Sequence, residues 1–441
     1  MTLPDPRTAQ SFRFVRRSFA HGTVELVYAF DDGPELVETI TFPSAPALAD
    51  ERAAAFEVAL DLLHFIAGVS YYKAGVPPAI RVETRVPDRA TAAFLDELYL
   101  HGLGEFAWQN RIDLADRIRF PFTDAPAAPA TVLRLPRGTL VPIGGGKDSL
   151  VSVELFKRTA EPATAVWVGN SPLIEACATR TGLPMLNPVR TISPRLFDYN
   201  RLGALNGHIP VTAINSAILV VAALLHGHDA IAFSNERSAS SATLEADGRE
   251  VNHQWSKGWR FEDGFRALLH ATVARDLDYY SLLRPLSELA VAARFARETR
   301  YDDVFSSCNR NFRILGPKPV DRWCGQCPKC HFVFLALAPF MPKPRLLAIF
   351  GRNLLDDESL APGFDALVEY RDHKPFECVG EGRESRAAFA ALAARAEWRE
   401  DALVERFARE IEPQLGPSVP ALAELLPLEG PDHVPSVLRT A

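Results

Sequence analysis

Apolar and polar positions alternate along residues 11–42, most clearly over 23–30 and 36–42, and Asp31-Asp32-Gly33-Pro34 separates these two runs. That pattern predicts a β-hairpin. Helical periodicity follows over 51–68 and 89–103, with a short strand expected at 80–83 between them. Together these elements predict a small α+β domain over residues 1–136, whose aromatics, Tyr71, Tyr72, Phe106 and Trp108 among them, read as core.

The Ala/Pro-rich stretch 123–138 reads as a linker. From there the pattern changes to short apolar strands at 139–143, 164–168, 185–189 and 229–233, interleaved with helices around Leu150, Ile174 and Ile218. Such βαβ alternation predicts an α/β domain over 137–305, a doubly wound parallel sheet covered on both faces. Its longest apolar run, 209–225, holds Pro210, Thr212, Asn215 and Ser216 and reads as a buried helix, not a membrane span. A cysteine-rich segment is expected over 306–345 and a helical region over 346–441, where the Ala/Arg/Glu-rich stretch 383–407 covers the core.

One junction in this pattern carries chemistry. The apolar run 139–143 delivers Gly144-Gly145-Gly146, and Lys147-Asp148-Ser149 opens the next helix. Helix N-termini expose unpaired N–H groups and carry roughly half a positive charge, so a strand–glycine–helix junction favours an anion. Lys147 adds a cation, Ser149 a hydroxyl, and Asp148 a ligand for Mg²⁺. The spacing is not the Walker pattern. In open sheets ligands sit beyond the carboxyl ends of the strands. The strand at 229–233 ends likewise in a polar run, Ser234, Asn235, Glu236, Arg237 and Ser238, continuing to Ser241 and placed to face the same crevice. Arg195, Arg201, Arg237, Lys257 and Arg260 are candidates for a local positive field.

Cys324, Cys327 and Cys330 stand at C-x2-C-x2-C spacing, preceded by Cys308. Four thiolates suit a tetrahedral metal, zinc in a structural knuckle or iron in a cluster. His331 is a weaker alternative ligand, and Cys177 and Cys378 read as packing residues.

Composition narrows the classes. A length of 441 residues suggests two or three domains, and 47% apolar with 23% charged residues describes a soluble globular protein. A formal charge of −7 argues against a generic nucleic-acid surface. Residues 1–10 lack the apolar stretch of a secretory signal, and crowded cysteines in such a chain point to metal, so the cytoplasm is the expected compartment with no membrane partner.

The glycine loop resembles the SGG-x-DS loop of the N-type ATP pyrophosphatases, or PP-loop enzymes, with Gly144 replacing the usual serine. That resemblance implies a PP-loop fold and cleavage of ATP to AMP and pyrophosphate. Ser307-Cys308 and Cys324-Gly325-Gln326-Cys327-Pro328-Lys329-Cys330 are similar to the zinc-binding arrangement of 7-cyano-7-deazaguanine synthases, apart from a longer spacer after the first cysteine. This favours zinc on Cys308, Cys324, Cys327 and Cys330. The glycine loop, the run 233–240 and the cysteine segment with Trp323 together resemble the UDP-N-acetyl-α-D-muramoyl-L-alanyl-L-glutamate epimerases, known as MurL.

The MurL resemblance implies inversion of the terminal L-glutamate of UDP-MurNAc-L-Ala-L-Glu to D-glutamate in peptidoglycan synthesis, using ATP and Mg²⁺. Gly144 to Ser149 and Ser234 to Ser238 would then bind ATP, and Asp148 the Mg²⁺. Adenylation removes the charge of the α-carboxylate and makes its carbonyl an electron sink, so the neighbouring Cα–H becomes acidic, directly or through an oxazolone. His208, His253 and Lys257 are the candidates for moving the proton. Two rival readings stand beside this one: a ligase that ends adenylation with a nucleophile, giving an amide or nitrile, and a zinc-knuckle protein that binds or modifies nucleic acid. Oligomeric state is not legible in the sequence.

Overall fold

The structure is a computed structural model and describes residues 3–439 apart from 126–127, 247, 314–315 and 372. Strands β1 (Ser11–Ala20), β2 (Thr23–Phe30) and β3 (Leu36–Thr41) form the expected antiparallel meander. Helix α1 (Ala53–Ala67) then crosses over to β4 (Ala79–Val82), which returns parallel to β1. A parallel return needs such a crossover. Helix α2 (Arg89–Gly102) starts where the Asp88 carboxylate accepts from the Thr91 N–H at 2.7 Å, and α3 (Gly104–Asn110) follows.

The second half is built on β5 (Thr139–Pro142), α4 (Lys147–Thr159), β6 (Ala163–Val166), α5 (Pro172–Thr181), β7 (Met185–Leu186), β8 (Val189–Thr191), α6 (Val211–His226) and β9 (Ala230–Phe233). A small hairpin of β10 (Leu244–Ala246) and β11 (Arg249–Val251) precedes α7 (Trp259–Thr272) and β12 (Asp278–Ser281). Strands β12-β9-β5-β6-β7, in that order, make a parallel sheet. Helices α8 (Glu288–Phe295), α9 (Pro328–Leu337) and α10 (Gly382–Ala393) then build a layer over it. This is a mixed α/β architecture.

Period-two alternation in the strands divides the buried side chains into two cores. Leu140, Val166, Ile231, Phe233 and Tyr279 face α6 and the N-terminal sheet, whereas Val141, Ala165, Ala230, Ala232 and Tyr280 face α4, α8, α9 and the C-terminal helices. The first core draws on residues from Ala9 to Tyr279, on both sides of the position expected to separate two domains. The stretch expected to be a linker is tied down: Ala130 N–H donates to Ala271 O at 3.1 Å, and Leu133 N–H to Asp276 Oδ1 at 2.8 Å. Pro126 and Ala127 of that stretch lie outside the described residues.

The single strand expected over 185–189 is two. Pro188 has no N–H to donate, and the chain leaves the parallel sheet there. Strand β8 pairs antiparallel with β3 and closes the order β4-β1-β2-β3-β8. The junction is fixed by charge: Arg190 donates to both oxygens of fully buried Glu38, at 2.7 and 3.0 Å, and to Ser70 Oγ at 2.8 Å. Strand β12 was not expected, since four residues with two adjacent tyrosines carry no readable period.

Among the described residues, the helical stretch Asp50–Tyr72 is long and apolar enough by composition to cross a membrane, and most of it is buried inside the fold.

Removing one partner of a buried ion pair strands the other charge. Glu38→Ala is expected to lower unfolding free energy by about 3–5 kcal/mol, read from the urea midpoint, while Arg16→Ala at an exposed pair should change it by less than about 1 kcal/mol.

Candidate active site

The glycine loop leaves β5 at its carboxyl end, where the connections diverge to β6 on one side and β9 on the other. A crevice forms at such a switch point. Gly145 has φ +83°, and a Cβ there would meet Ser306 O at 3.3 Å, so this turn requires glycine. A Cβ on Gly144 would meet nothing within 4 Å, which leaves that side of the loop open to a ligand. Gly146 is the N-cap of α4 and offers no side chain to cap it, so the first-turn N–H groups of the helix are available.

Lys147 is not a free surface cation. It is 1% exposed, its Nζ lies 2.5 Å from Asp148 Oδ1, and it pairs with Glu288 at the start of α8. Burial opposes its charge, but Asp148 and Glu288 hold its pKa above the usual lysine value. Lys329 reaches the other oxygen of Glu288 at 3.7 Å. Glu236, just past β9, completes a group of three carboxylates with Asp148 and Glu288, with one oxygen from each within 4.8 Å of the others. Burial, then the charges of Glu288 and Asp148, push the Glu236 carboxyl up to about 8, and its Oε1 has no hydrogen-bond partner. Clustered carboxylate oxygens with one orphaned atom fit a hard divalent cation such as Mg²⁺.

A second cluster lies beside the first. Glu105, on α3, has Oε2 2.5 Å from His253 Nδ1 and 3.7 Å from His208 Nδ1, and the two imidazole centroids are 4.2 Å apart. Burial disfavours a charged His253, but the sulfur of Cys378 and the Glu105 carboxylate outweigh it and raise the imidazole to about 9. His208 goes the other way, to about 3, through burial and the charges of His253, Lys257 and Lys73. Lys257 donates to Cys378 Sγ at 3.1 Å, and its field also reaches Glu236 and Asp148. Lys73 donates to Asn206 Oδ1 at 2.5 Å and Gly207 O at 3.0 Å, holding the turn before His208.

The cysteine segment brings its four thiols together. Sγ–Sγ distances are 3.9 Å for Cys308–Cys327, 3.8 Å for Cys324–Cys330 and 3.4 Å for Cys327–Cys330. A tetrahedral zinc with bonds of about 2.3 Å requires sulfur edges of about 3.8 Å, so the donor set fits that metal. His331 is not part of it: its ring stacks on Phe364 at 4.9 Å, and neither nitrogen has a hydrogen-bond partner. The segment also braces the glycine loop, since Ser306 N–H donates to Gly145 O at 2.8 Å.

Several sequence candidates serve other ends. Ser234 Oγ hydrogen-bonds Ser152 Oγ at 2.7 Å, Asn235 donates to Ser281 at 3.0 Å, and Ser149 Oγ donates to Gly146 O at 3.3 Å. Ser238 Oγ accepts from Glu288 N–H at 3.4 Å and so helps seat that carboxylate. The expected arginine field does not assemble. Arg237 pairs with Glu429 at 2.6 Å, Arg201 with Asp198, and Arg260 with Glu97, while Arg195 donates to Glu35 O. Three of these guanidinium chains find nearer carboxylates and the fourth a backbone carbonyl, while Lys257 contacts the sulfur of Cys378. The positive charge comes instead from buried Lys147, Lys329 and Lys73.

Sequence reasoning missed Glu105, Glu288, Lys329 and Cys378. Lys329 alone had a signal, its place between two metal-type cysteines. Cys177 is a packing residue, as expected, whose thiol donates to Gly145 O at 3.5 Å beneath the loop.

Comparison with known proteins accounts for nearly all of this chain. The MurL N-terminal domain matches residues 4–282, and the MurL C-terminal domain matches 304–419. The chain belongs to the MurL family. A UDP-N-acetyl-alpha-D-muramoyl-L-alanyl-L-glutamate epimerase of Xanthomonas oryzae pv. oryzae is 59% identical over 441 residues, covering 99% of this chain and 98% of that protein. Proteins of the same name from Salinispora tropica and a Micromonospora species are each 40% identical, covering 98% and 97% of this chain and 95% and 97% of their own lengths. In this MurL member the N-terminal match contributes the glycine loop, Glu236, His253 and Lys257, and the C-terminal match contributes the four thiols, Lys329 and Cys378.

If zinc occupies the four thiols, purified protein should carry zinc at one atom per chain by elemental analysis. Cys327→Ser should lose it and unfold at lower temperature, because structural zinc contributes folding energy. Iron with visible absorbance in place of zinc would reject this metal.

Proposed function

We propose that this chain is an ATP-dependent epimerase that converts the terminal L-glutamate of UDP-MurNAc-L-Ala-L-Glu to D-glutamate for peptidoglycan. The observation carrying this reading is one crevice that holds an open glycine loop, a carboxylate triad and, through Lys257, a cluster of sulfur and imidazole groups, in a chain matched end to end by proteins named for that epimerisation.

The chemical problem is the free α-carboxylate. Deprotonating the neighbouring Cα would build a dianion, so the carboxylate must first lose its charge. ATP, consumed as second substrate, supplies that activation by attaching AMP to the carboxylate with release of pyrophosphate. The loop Gly144-Gly145-Gly146 with the α4 N-terminus receives phosphate oxygens, and the strand–loop–helix arrangement at the switch point is compatible with a PP-loop fold. Asp148, Glu236 and Glu288 are the residues that would hold Mg²⁺, which would neutralise phosphate charge. Lys147 holds Asp148 and Glu288 in place, and its charge favours the ionised form of Asp148.

Protonation states constrain the proton-moving half. At neutral pH His253 and Lys257 are both cationic. They suit stabilisation of negative charge developing on the carbonyl oxygen, since fixed charges act strongly in a site that excludes water. His208 is neutral and packs on His253. None of the three is an available strong base.

Incubation with ATP, Mg²⁺ and the L-glutamyl substrate in D₂O should yield D-glutamate with deuterium at the glutamyl Cα, together with pyrophosphate. Asp148→Ala should lower both pyrophosphate release and epimerisation by at least about 100-fold. Epimerisation that persists in this variant without pyrophosphate would overturn the coupling.

A further inference from the structure

We infer that Cys378 is the residue that takes the proton from the glutamyl Cα. The assignment rests on the epimerase reading above, and it fills the one role that the cations His253 and Lys257 leave open.

Cys378 is set apart from the other cysteines by its surroundings. Its sulfur accepts from Lys257 Nζ at 3.1 Å and lies in the field of His253, which is itself clamped by Glu105 at 2.5 Å. Its backbone is equally fixed, because Lys329 Nζ donates to the Cys378 carbonyl and Gln254 donates to the next carbonyl, Val379 O, at 3.1 Å. Cys177, by contrast, is fully buried and faces only backbone carbonyls, and the remaining four thiols face one another. Cys378 is half-buried as a residue, whereas Cys177 is fully buried.

Two further features lie near it. Glu236, 4% exposed and with an unpartnered Oε1, approaches Lys257 from the carboxylate side of the crevice. On the other side the Trp108 ring lies 5.1 Å from Phe376, two residues before the cysteine, and Trp108 walls an open cavity of about 820 Å³ with His101, Arg111 and Arg249. That volume is the size of a small-molecule site.

The charged groups around the sulfur determine its state. Burial raises a thiol pKa, but Lys257, His253 and Lys329 more than offset this and bring Cys378 down to about 5. Glu377, pushed up to about 7 by burial, carries only part of a negative charge at neutral pH, and Glu105 is committed to His253. A thiolate at neutral pH is a competent base toward a Cα–H whose carboxyl has been activated. In the proposed step an S–H bond forms as the Cα–H bond breaks, and the electron pair moves into the carbonyl, whose oxygen faces the cations. Water then protonates the opposite face, the hydroxide left behind takes the proton from the thiol, and a further water hydrolyses the acyl–AMP bond, releasing AMP and the free D-glutamyl carboxylate.

The test compares wild type, Cys378→Ala and Cys378→Ser with ATP, Mg²⁺ and UDP-MurNAc-L-Ala-L-Glu in D₂O. The expected result is pyrophosphate release in all three, with Cα deuteration and D-glutamate reduced at least about 100-fold in both variants. A second measurement needs no variant. Iodoacetamide with peptide mapping of the wild type should label Cys378 at a rate that is flat above about pH 6 and falls as pH drops through about 5, and bound substrate with ATP should protect it. Wild-type-like D-glutamate formation in Cys378→Ala overturns the assignment, as does labelling that rises only near the ordinary thiol pKa of about 8.5. Absence of D-glutamate from wild type would instead overturn the epimerase reading and the assignment with it.

Discussion

Everything in this crevice depends on balancing buried charge. Asp148, Glu236 and Glu288 place three carboxylates within 4.8 Å, and Lys147, Lys257 and Lys329 supply the opposing charge. Ionised groups removed from water cost several kcal/mol each unless paired. The six residues come from the loop after β5, the run after β9, the turn before α7, the start of α8 and the cysteine knuckle. The fold must therefore bring five separate segments together before any of them is electrostatically tolerable. Glu236 retains one orphaned oxygen, a demand that a cation between the three carboxylates would meet.

The cysteine knuckle belongs to this balance as well as to stability. Its preceding residue Ser306 fixes the carbonyl of Gly145, and Lys329, between two of its cysteines, reaches both Glu288 and the backbone of Cys378. A metal in the knuckle would thus rigidify the phosphate loop, the carboxylates and the thiolate at once. The N-terminal sheet contributes in a similar way. The Glu38–Arg190 pair locks β8 to β3, and the connected α3 delivers Glu105 to His253. Lys257 therefore stands between the two parts of the proposed reaction, with the carboxylates on one side and the sulfur–imidazole cluster on the other.

Much of this architecture is local in origin and could be read from the chain alone. The hairpin 23–41, the helices near 53–67 and 89–102 and the strand–glycine–helix junction depend on period, turn residues and caps within a few positions of one another. The four thiols were legible for the same reason, because chelate spacing is a property of a short segment. Period also misled where a single residue broke it, as Pro188 did by sending β8 to the other sheet.

What only the tertiary structure decided is which charges and nucleophiles meet. Arginines at 195, 201, 237 and 260 looked suited to an anionic substrate, but three of these flexible guanidinium chains pair with a nearby carboxylate and Arg195 donates to a backbone carbonyl. Cys378 looked like a packing residue because nothing beside it in sequence perturbs a thiol. Lys257 lies 121 positions away and Glu105 further still. A pKa is set by distance in space and by burial, neither of which has a period along the chain. The sequence thus determined a glycine loop at a helix start and a knuckle of four thiols, and the packing determined which sulfur lies against Lys257.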